Sequence, residues 1–292
     1  MTLLELIESS TARLAEAGLA FGHGTTNARD ETIWLTLWAL GLPLDDLDSV
    51  STTLALDQHQ IDKVQELIER RIRTRQPAAY LTNEAWLQGV PFYVDERVIV
   101  PRSFIAEVIA DGSIDEWLSE DTTRVLDLCT GNGSLAVLAA MAWPEITVDS
   151  ADLSPDALAV ARINVDRHAL ADRITLIQSD GLTQVEGPYD LILCNPPYVN
   201  AQSMAALPAE YQAEPQMALA SGDDGMDFCR ALIAALRADP ARYLNEDGVL
   251  VLEIGNEREH FENAFADLPV VWLDTSSGTD QLLLITREAL EV

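Results

Sequence analysis

Apolar residues in the first eighty positions recur at the three- and four-residue spacing of amphipathic helices. The pattern predicts helices over about residues 3–18, 26–40 and 57–77, each followed by a glycine or closed by a proline. Leucine and tryptophan stripes at this spacing are typical of a packed core. We therefore expect a small helical domain over residues 1–83 with no chemistry of its own.

The spacing of the hydrophobic residues changes from the helical period to the shorter period of strands between about residues 84 and 100. Short extended stretches on either side of Gln88 and Gly89 predict a β-hairpin, and a further extended segment, 98–102, follows it. We interpret residues 84–103 as the β-hairpin linker between the helical domain and a second domain over residues 104–292.

Short β-branched stretches alternate with helical ones from about residue 124 onward. Strands are predicted at 125–128, 146–150, 174–178, 191–194, 249–254, 270–273 and 282–286, and helices at 134–142, 155–168, 226–238 and about 257–266. This alternation predicts an α/β fold with a mostly parallel seven-stranded sheet. The last two strands are joined by a segment too short for a crossover helix, so we expect them to be antiparallel.

The charge balance limits the choice of partner. The chain has 18 basic and 48 acidic residues, a formal net charge of −30. Such a chain is repelled by phosphate backbones, so sequence-specific nucleic acid is not the expected partner. The acidity fits either a basic protein substrate or a general adaptation to solubility or salt, and the scatter of the acids favours the general explanation. We interpret the arginines at 70, 71, 73 and 75 as a solvated helix face.

Other compositional features point to the cytoplasm. Three widely spaced cysteines and four scattered histidines show neither a disulfide framework nor a metal-ligand spacing, so we expect no metal site. The first residues lack a basic signal region, and the longest apolar stretch, 135–143, is too short to cross a membrane. We expect a cytoplasmic monomer or weak dimer.

A glycine-rich loop lies between the first predicted strand of the second domain and the helix after it. It covers residues 127–134, and such a loop lets a ligand approach the backbone and the helix N-terminus. Asp152 follows the next strand, where a carboxylate can accept both hydroxyls of a ribose. Asp180 follows the third strand, where it can accept from an adenine amine. The glycine loop and the two acids together predict a cofactor that contains a nucleoside, but they do not identify it, because the loop also fits the dinucleotide fingerprint. Without the acids, the loop could also be a tight turn that binds nothing.

The tetrapeptide Asn195-Pro196-Pro197-Tyr198 follows the fourth of these strands, at the sheet edge where open α/β sheets bind ligands. Consecutive prolines fix the backbone, and their carbonyls together with the Asn195 side chain supply rigid acceptors. Two acceptors at a fixed separation can hold both protons of a planar –NH2 group, and a tyrosine ring can stack on it. In isolation the tetrapeptide could also be a simple turn.

Together, the glycine loop and this tetrapeptide resemble the class I S-adenosylmethionine-dependent methyltransferases, which have a Rossmann-like fold. The helical front domain and hairpin resemble the protein-(glutamine-N5) methyltransferases in particular. The resemblance implies cofactor contacts from Asp127, Cys129, Thr130, Gly131, Asn132, Gly133, Asp152, Asp180, Gly181 and Asn195. It implies that Asn195, Pro196, Pro197 and Tyr198 bind the glutamine, with Asn195, Pro196 and Tyr198 as the catalytic set.

Two protein targets are known for that family, large-subunit ribosomal protein L-three and the peptide release factors. Residues 80–86 and 92–103 are closer to the ribosomal-protein enzymes, and Ser103-Phe104 replaces the proline and acid typical of the release-factor enzymes. Cys129 also stands where the release-factor group usually has glycine. We therefore expect methylation of a glutamine amide in the ribosomal protein, with release factors as the alternative. A nucleic-acid amine methyltransferase and a non-enzymatic nucleotide-sensing module are the more distant alternatives.

Overall fold

The computed structural model describes residues 1–44 and 50–291. The chain forms two compact units: Met1–Ala85 with Leu207–Glu214, and Trp86–Ala206 with the chain from Pro215 onward. The pattern of the sequence did not indicate that the short segment Leu207–Glu214 groups with the helices. The domain boundaries at residues 83 and 103 stay predictions.

The first unit is helical. Its helices are α1 (Leu3–Glu16), α2 (Ala28–Leu40), α3 (Gln58–Thr74), α4 (Ala78–Thr82) and the later α9 (Ala209–Gln212). Thr2 and Asp57 form capping boxes at the starts of α1 and α3. Pro77 stands at the start of α4, whereas α3 ends three residues earlier, at Thr74. The apolar stripes pack into one core, as their spacing predicted.

The interpretation of the arginines at 70, 71, 73 and 75 as a solvated helix face holds for the exposed Arg70 and Arg73 but is wrong for Arg71. Its side chain is fully buried and donates through Nε to Glu31 Oε1 at 2.8 Å. A second ion pair joins its Nη1 to Glu210 Oε1 at 3.5 Å, and Arg75 Nη2 lies 2.9 Å from the same oxygen. Burying a guanidinium is costly unless it is paired, so these acids account for its place in the core.

The second unit begins at Trp86, the second residue of a hairpin of β1 (Ala85–Leu87) and β2 (Val90–Phe92), and contains a seven-stranded sheet. The sheet strands are β3 (Arg124–Leu128), β4 (Thr147–Asp152), β5 (Ile174–Gln178), β6 (Tyr189–Cys194), β7 (Leu244–Glu253), β8 (Val271–Trp272) and β9 (Leu282–Thr286). Their spatial order is β5-β4-β3-β6-β7-β9-β8. β3 to β7 are mutually parallel and β9 is antiparallel to both neighbours, so the predicted mostly parallel α/β fold is confirmed.

Helices of this unit connect and cover the strands. They are α5 (Ile105–Ala110), α6 (Ser134–Ala142), α7 (Pro155–Arg167), α8 (Ala201–Ala206), α10 (Asp227–Ala238), α11 (Pro240–Tyr243), α12 (Arg258–Ala264) and α13 (Arg287–Leu290). Alternate residues of β3 and β6 enter two separate apolar clusters, one on each face of the sheet. Within residues 1–44 and 50–291, every helix is too short or too polar to span a bilayer.

The strand order reverses next to β3, and this reversal locates the site. β4 and β5 extend the sheet to one side of β3, whereas β6 and β7 extend it to the other. In parallel sheets a crevice opens at the carboxyl ends of the two strands where the order reverses. Leu128 pairs with Cys194 in register, so the glycine loop and Asn195 leave the sheet side by side.

Candidate active site

A cavity opens at this carboxyl edge of the sheet. Nine of the predicted site residues line it: Cys129, Thr130, Gly131, Asn132, Asp152, Asp180, Gly181, Asn195 and Pro197. Four other predicted site residues do not line it. Asp127 lies beneath the glycine loop, and Gly133 lies at the end of that loop. Pro196 and Tyr198 belong to the Asn195 motif after β6. The fold therefore brings the two predicted motifs to one cavity.

The glycine loop turns back toward the sheet through left-handed residues. Cys129, Gly131 and Gly133 have φ of 63°, 55° and 80°. A Cβ on Gly131 would meet no atom within 4 Å, which places this backbone against open space. A Cβ on Gly133 would lie 3.1 Å from the Ala161 Cβ, so glycine is required there for α6 to start close to α7.

Asp127 supports the loop from below. Its side chain is fully buried, and Oδ2 accepts from the Thr130 hydroxyl and, at 3.0 Å, from the Ala136 N–H. Burial raises the pKa of this carboxyl to about 7. The other oxygen, Oδ1, has no donor among the described residues. Asp127 thus ties the loop to the first turn of α6 and keeps one spare acceptor.

Asp152 ends β4 and reaches the same loop. Its Oδ2 accepts from the Gly131 N–H and its Oδ1 from the Ser154 N–H, both at 2.9 Å. Burial raises the pKa of Asp152. Each oxygen keeps a lone pair for a further donor. Asp180 lies two residues beyond the end of β5 and is exposed at the cavity.

The amide of Asn195 has a defined orientation. Nδ2 donates to the backbone carbonyl of Arg102 at 3.3 Å. This contact uses one N–H of the amide, so Oδ1 is available as an acceptor in a residue that lines the cavity. The distinction matters because an acceptor, and not a donor, can hold an –NH2 proton.

Tyr198 is held by its backbone and its ring. A Cβ on Gly225 would lie 2.2 Å from the Tyr198 carbonyl oxygen, and one on Gly255 would lie 2.5 Å from Cε2 of the ring. Gly225 has a φ of 79° and Gly255 a φ of 54°, values that other residues rarely adopt. The ring therefore packs on bare backbone at the end of β7.

Sequence reasoning missed Glu253, the last residue of β7. It is 2% exposed, and burial raises its pKa to about 7. The Ser103 hydroxyl donates to Oε2 at 2.6 Å, and Tyr198 Oη lies 3.4 Å from Oε1. A single acid inside the apolar stretch 249–254 was the available signal, because an ionisable group in a buried strand needs partners.

A family model, the methyltransferase small domain, matches residues 114–222. The chain is 51% identical to the ribosomal protein uL3 glutamine methyltransferase of Bordetella pertussis, over 99% of this chain and 96% of that one. It is 52% identical to the same enzyme of Burkholderia pseudomallei, over 99% and 95%. The fold is similar to the hMettl16 catalytic domain solved with the MAT2A 3'UTR hairpin 1, with a TM-score of 0.53, 14% identity, and coverage of 87% and 89%.

Proposed function

Since this chain belongs to the family of ribosomal protein uL3 glutamine methyltransferases, we propose that it methylates the side-chain amide nitrogen of a glutamine in ribosomal protein uL3. S-adenosylmethionine is the methyl donor of this reaction. The observation that carries the proposal is the oriented amide of Asn195, whose donor end is bound to Arg102 and whose acceptor end is left at the cavity.

The residues at the cavity fit an S-adenosyl group. The bare backbone at Gly131 leaves room for a ligand against the loop. Asp152 keeps one lone pair on each oxygen for the two ribose hydroxyls, and the exposed Asp180 supplies a further acceptor. When bound, the cofactor supplies a methyl group on a positively charged sulfur, ready for transfer to a nucleophile.

The amide of a glutamine is a poor nucleophile, because the nitrogen lone pair is shared with its carbonyl. We propose that Asn195 Oδ1 accepts one amide proton and the Pro196 carbonyl accepts the other. Two acceptors at a fixed separation fix the plane of the amide and push electron density onto its nitrogen. Tyr198 and Pro197 pack against the planar group.

This arrangement works by orientation and charge stabilisation. When the nucleophile is held in an attacking geometry, the entropy cost of bringing the two reactants together is met on binding and no longer adds to the barrier of the chemical step. With the cofactor bound, the nitrogen would gain a bond to the methyl carbon, and the pair of the methyl–sulfur bond would stay on sulfur. The nitrogen then loses its extra proton to solvent, so no side chain must remove a proton before attack.

The direct test is methyl transfer in a purified system. The protein is incubated with S-adenosylmethionine carrying a labelled methyl and with purified uL3, and mass spectrometry locates the label. We expect one methyl on a glutamine side chain of uL3. Release factor replaces uL3 in a parallel reaction: label there and none on uL3 would overturn the substrate, and label on neither would overturn the proposed function.

We further propose that the helical domain, residues 1–83, selects the protein substrate. Its described residues, 1–44 and 50–83, form a packed core and capped helices, and none of them lines the cavity. Because Leu207–Glu214 groups with it, a variant lacking residues 1–83 must also replace 207–214 by a short glycine-serine linker. We expect such a variant to bind S-adenosylhomocysteine by calorimetry and to fail on intact uL3. Full activity on uL3 would contradict this role.

We also propose that the protein acts in the cytoplasm, where uL3 is made. The formal net charge of −30 fits a basic ribosomal protein as the partner. Association with uL3 should then weaken as salt is raised from low to physiological concentration, in a binding assay without cofactor. An affinity that does not change with salt would contradict a role for the acidity in substrate binding.

A further inference from the structure

Glu253 is a buried acid with no role in the proposed chemistry. It ends β7, next to the strand that carries the Asn195 motif, since Leu252 pairs with Cys194 in register. Placing a carboxyl at a 2% exposed position costs free energy unless it is well hydrogen-bonded. A side chain of similar volume without ionisable atoms would avoid this cost, so the acid is explained by what it binds.

Its two oxygens join two separate segments of the chain. Oε2 accepts from the Ser103 hydroxyl at 2.6 Å and from the Phe104 N–H at 2.9 Å. Oε1 lies 3.4 Å from the hydroxyl of Tyr198. Ser103 Oγ in turn accepts from the Ile105 N–H at 3.1 Å, which fixes the rotamer of the serine at the start of α5.

The first of these segments also orients Asn195. Arg102 directly precedes Ser103, and its carbonyl accepts from Asn195 Nδ2 at 3.3 Å. The position of that carbonyl depends on the backbone of residues 102–104, which Glu253 holds through two short contacts. Glu253 is thus connected to the amide of Asn195 through Ser103 and Arg102, and it contacts Tyr198 directly.

We propose that Glu253 is a positioning residue for methyl transfer: by binding Ser103 and Phe104 it fixes the Arg102 carbonyl that selects the orientation of the Asn195 amide, and it holds the Tyr198 hydroxyl. This inference rests on the proposed glutamine methylation. Glu253 does not touch the reacting groups; it acts through residues 102–104 and Tyr198. Loss of its acceptors frees the Asn195 amide to rotate and to present Nδ2 instead of Oδ1.

The test compares Glu253→Gln with Glu253→Met, two side chains of the same length. Glutamine keeps an acceptor for Ser103 and Phe104 and can donate to the Tyr198 oxygen, whereas methionine offers neither. We expect the methionine variant to lose roughly 10- to 100-fold in kcat, the cost of a small misplacement of a reacting group. The glutamine variant should restore most of this loss. KM for S-adenosylmethionine should change little in either, because the cofactor contacts come from other residues.

A second readout needs no turnover. In the protein without cofactor, the Asn195 side-chain NH2 signals are assigned by NMR from their loss in Asn195→Ala. We expect these protons to exchange slowly with solvent in the wild type and in Glu253→Gln, and faster in Glu253→Met. The exposed Glu246, also on β7, supplies the control: Glu246→Gln should leave both kcat and the Asn195 signals unchanged.

The outcomes separate this inference from the proposed function. Suppose that the wild type methylates glutamine, while Glu253→Met leaves both kcat and the solvent exchange of the Asn195 NH2 protons unchanged. This result would overturn the positioning role alone. Wild-type protein with no methylation of glutamine would overturn the proposed function, whereas the NMR comparison would still report on Asn195. If Glu253→Met does not fold, Ser103→Ala removes one of the same contacts and should lower kcat in the same direction; an unchanged kcat there would also overturn the inference.

Discussion

Replacement of Asn195 by aspartate is the sharpest perturbation of the proposed clamp. Asparagine and aspartate have nearly the same shape, and both offer an acceptor toward the cavity. The difference lies at the other end of the side chain, where Asn195 Nδ2 donates to the Arg102 carbonyl at 3.3 Å. Aspartate would place an oxygen there, so two acceptors would face each other without a proton between them.

The size of the effect follows from this contact. Asn195→Ala removes one of two proposed acceptors for the amide, and losing one such oriented hydrogen bond commonly costs roughly 10²–10³ in kcat, or about 3–4 kcal/mol. Asn195→Asp keeps an acceptor but loses the bond that orients it, and its oxygen is repelled by the Arg102 carbonyl. We therefore expect the aspartate variant to lose about as much activity as the alanine variant.

The assay is steady-state methylation of purified uL3, with kcat and the KM of S-adenosylmethionine measured for both variants. The KM should change little, since the cofactor contacts are expected mainly from the glycine loop and Asp152. Calorimetry with S-adenosylhomocysteine checks this and shows that the site is folded. Near wild-type kcat in Asn195→Asp would refute the role of the Arg102 contact, and near wild-type kcat in Asn195→Ala would refute the clamp itself.

Three further outcomes are expected. Asp152→Ala should weaken S-adenosylhomocysteine binding in calorimetry without unfolding the protein, because the carboxylate is the proposed acceptor of the ribose; unchanged affinity would rule that out. Arg71→Met should lower the free energy of unfolding in urea by about 3–5 kcal/mol, since it leaves the buried Glu31 without its guanidinium and Glu210 with only Arg75, whereas the exposed Arg73→Met should cost under about 0.5 kcal/mol; equal losses would contradict the buried network. Glu253 has a pKa of about 7 against an ordinary 4.5, so the folded state binds the extra proton between these values and stability falls as pH rises through them. Relative to Glu253→Gln, the wild type should lose about 3 kcal/mol from pH 4.5 to 7, and parallel curves would refute this.

Local patterns in the sequence determined most of the architecture. Hydrophobic periods of 3.6 and 2 arise from the geometry of single helices and strands, so they can be recognised without knowledge of the fold. The helical start, the hairpin and the alternating strands were predictable for this reason. So was the antiparallel last pair, because a short connection permits no other direction. The glycine loop and the Asn195 motif carry their chemistry within a few consecutive residues, and they too were recognisable.

Contacts between distant residues were decided only by the tertiary structure. Arg71 is buried because Glu210, 139 residues later, returns to the helical unit in the segment 207–214. A charged residue at an amphipathic helix position gives no local sign of such a partner, so the sequence predicted exposure. Only the fold could reverse that expectation.

The orientation of the Asn195 amide was decided in the same way. It depends on Arg102, 93 residues earlier, and the position of that carbonyl depends on Ser103 and Glu253, 150 residues apart. The sequence showed that an asparagine stands at the end of β6, and hence which atoms are available. Which end of its amide faces the cavity is set by a donor–acceptor contact across the sheet edge, and such contacts exist only once the strands and loops are packed.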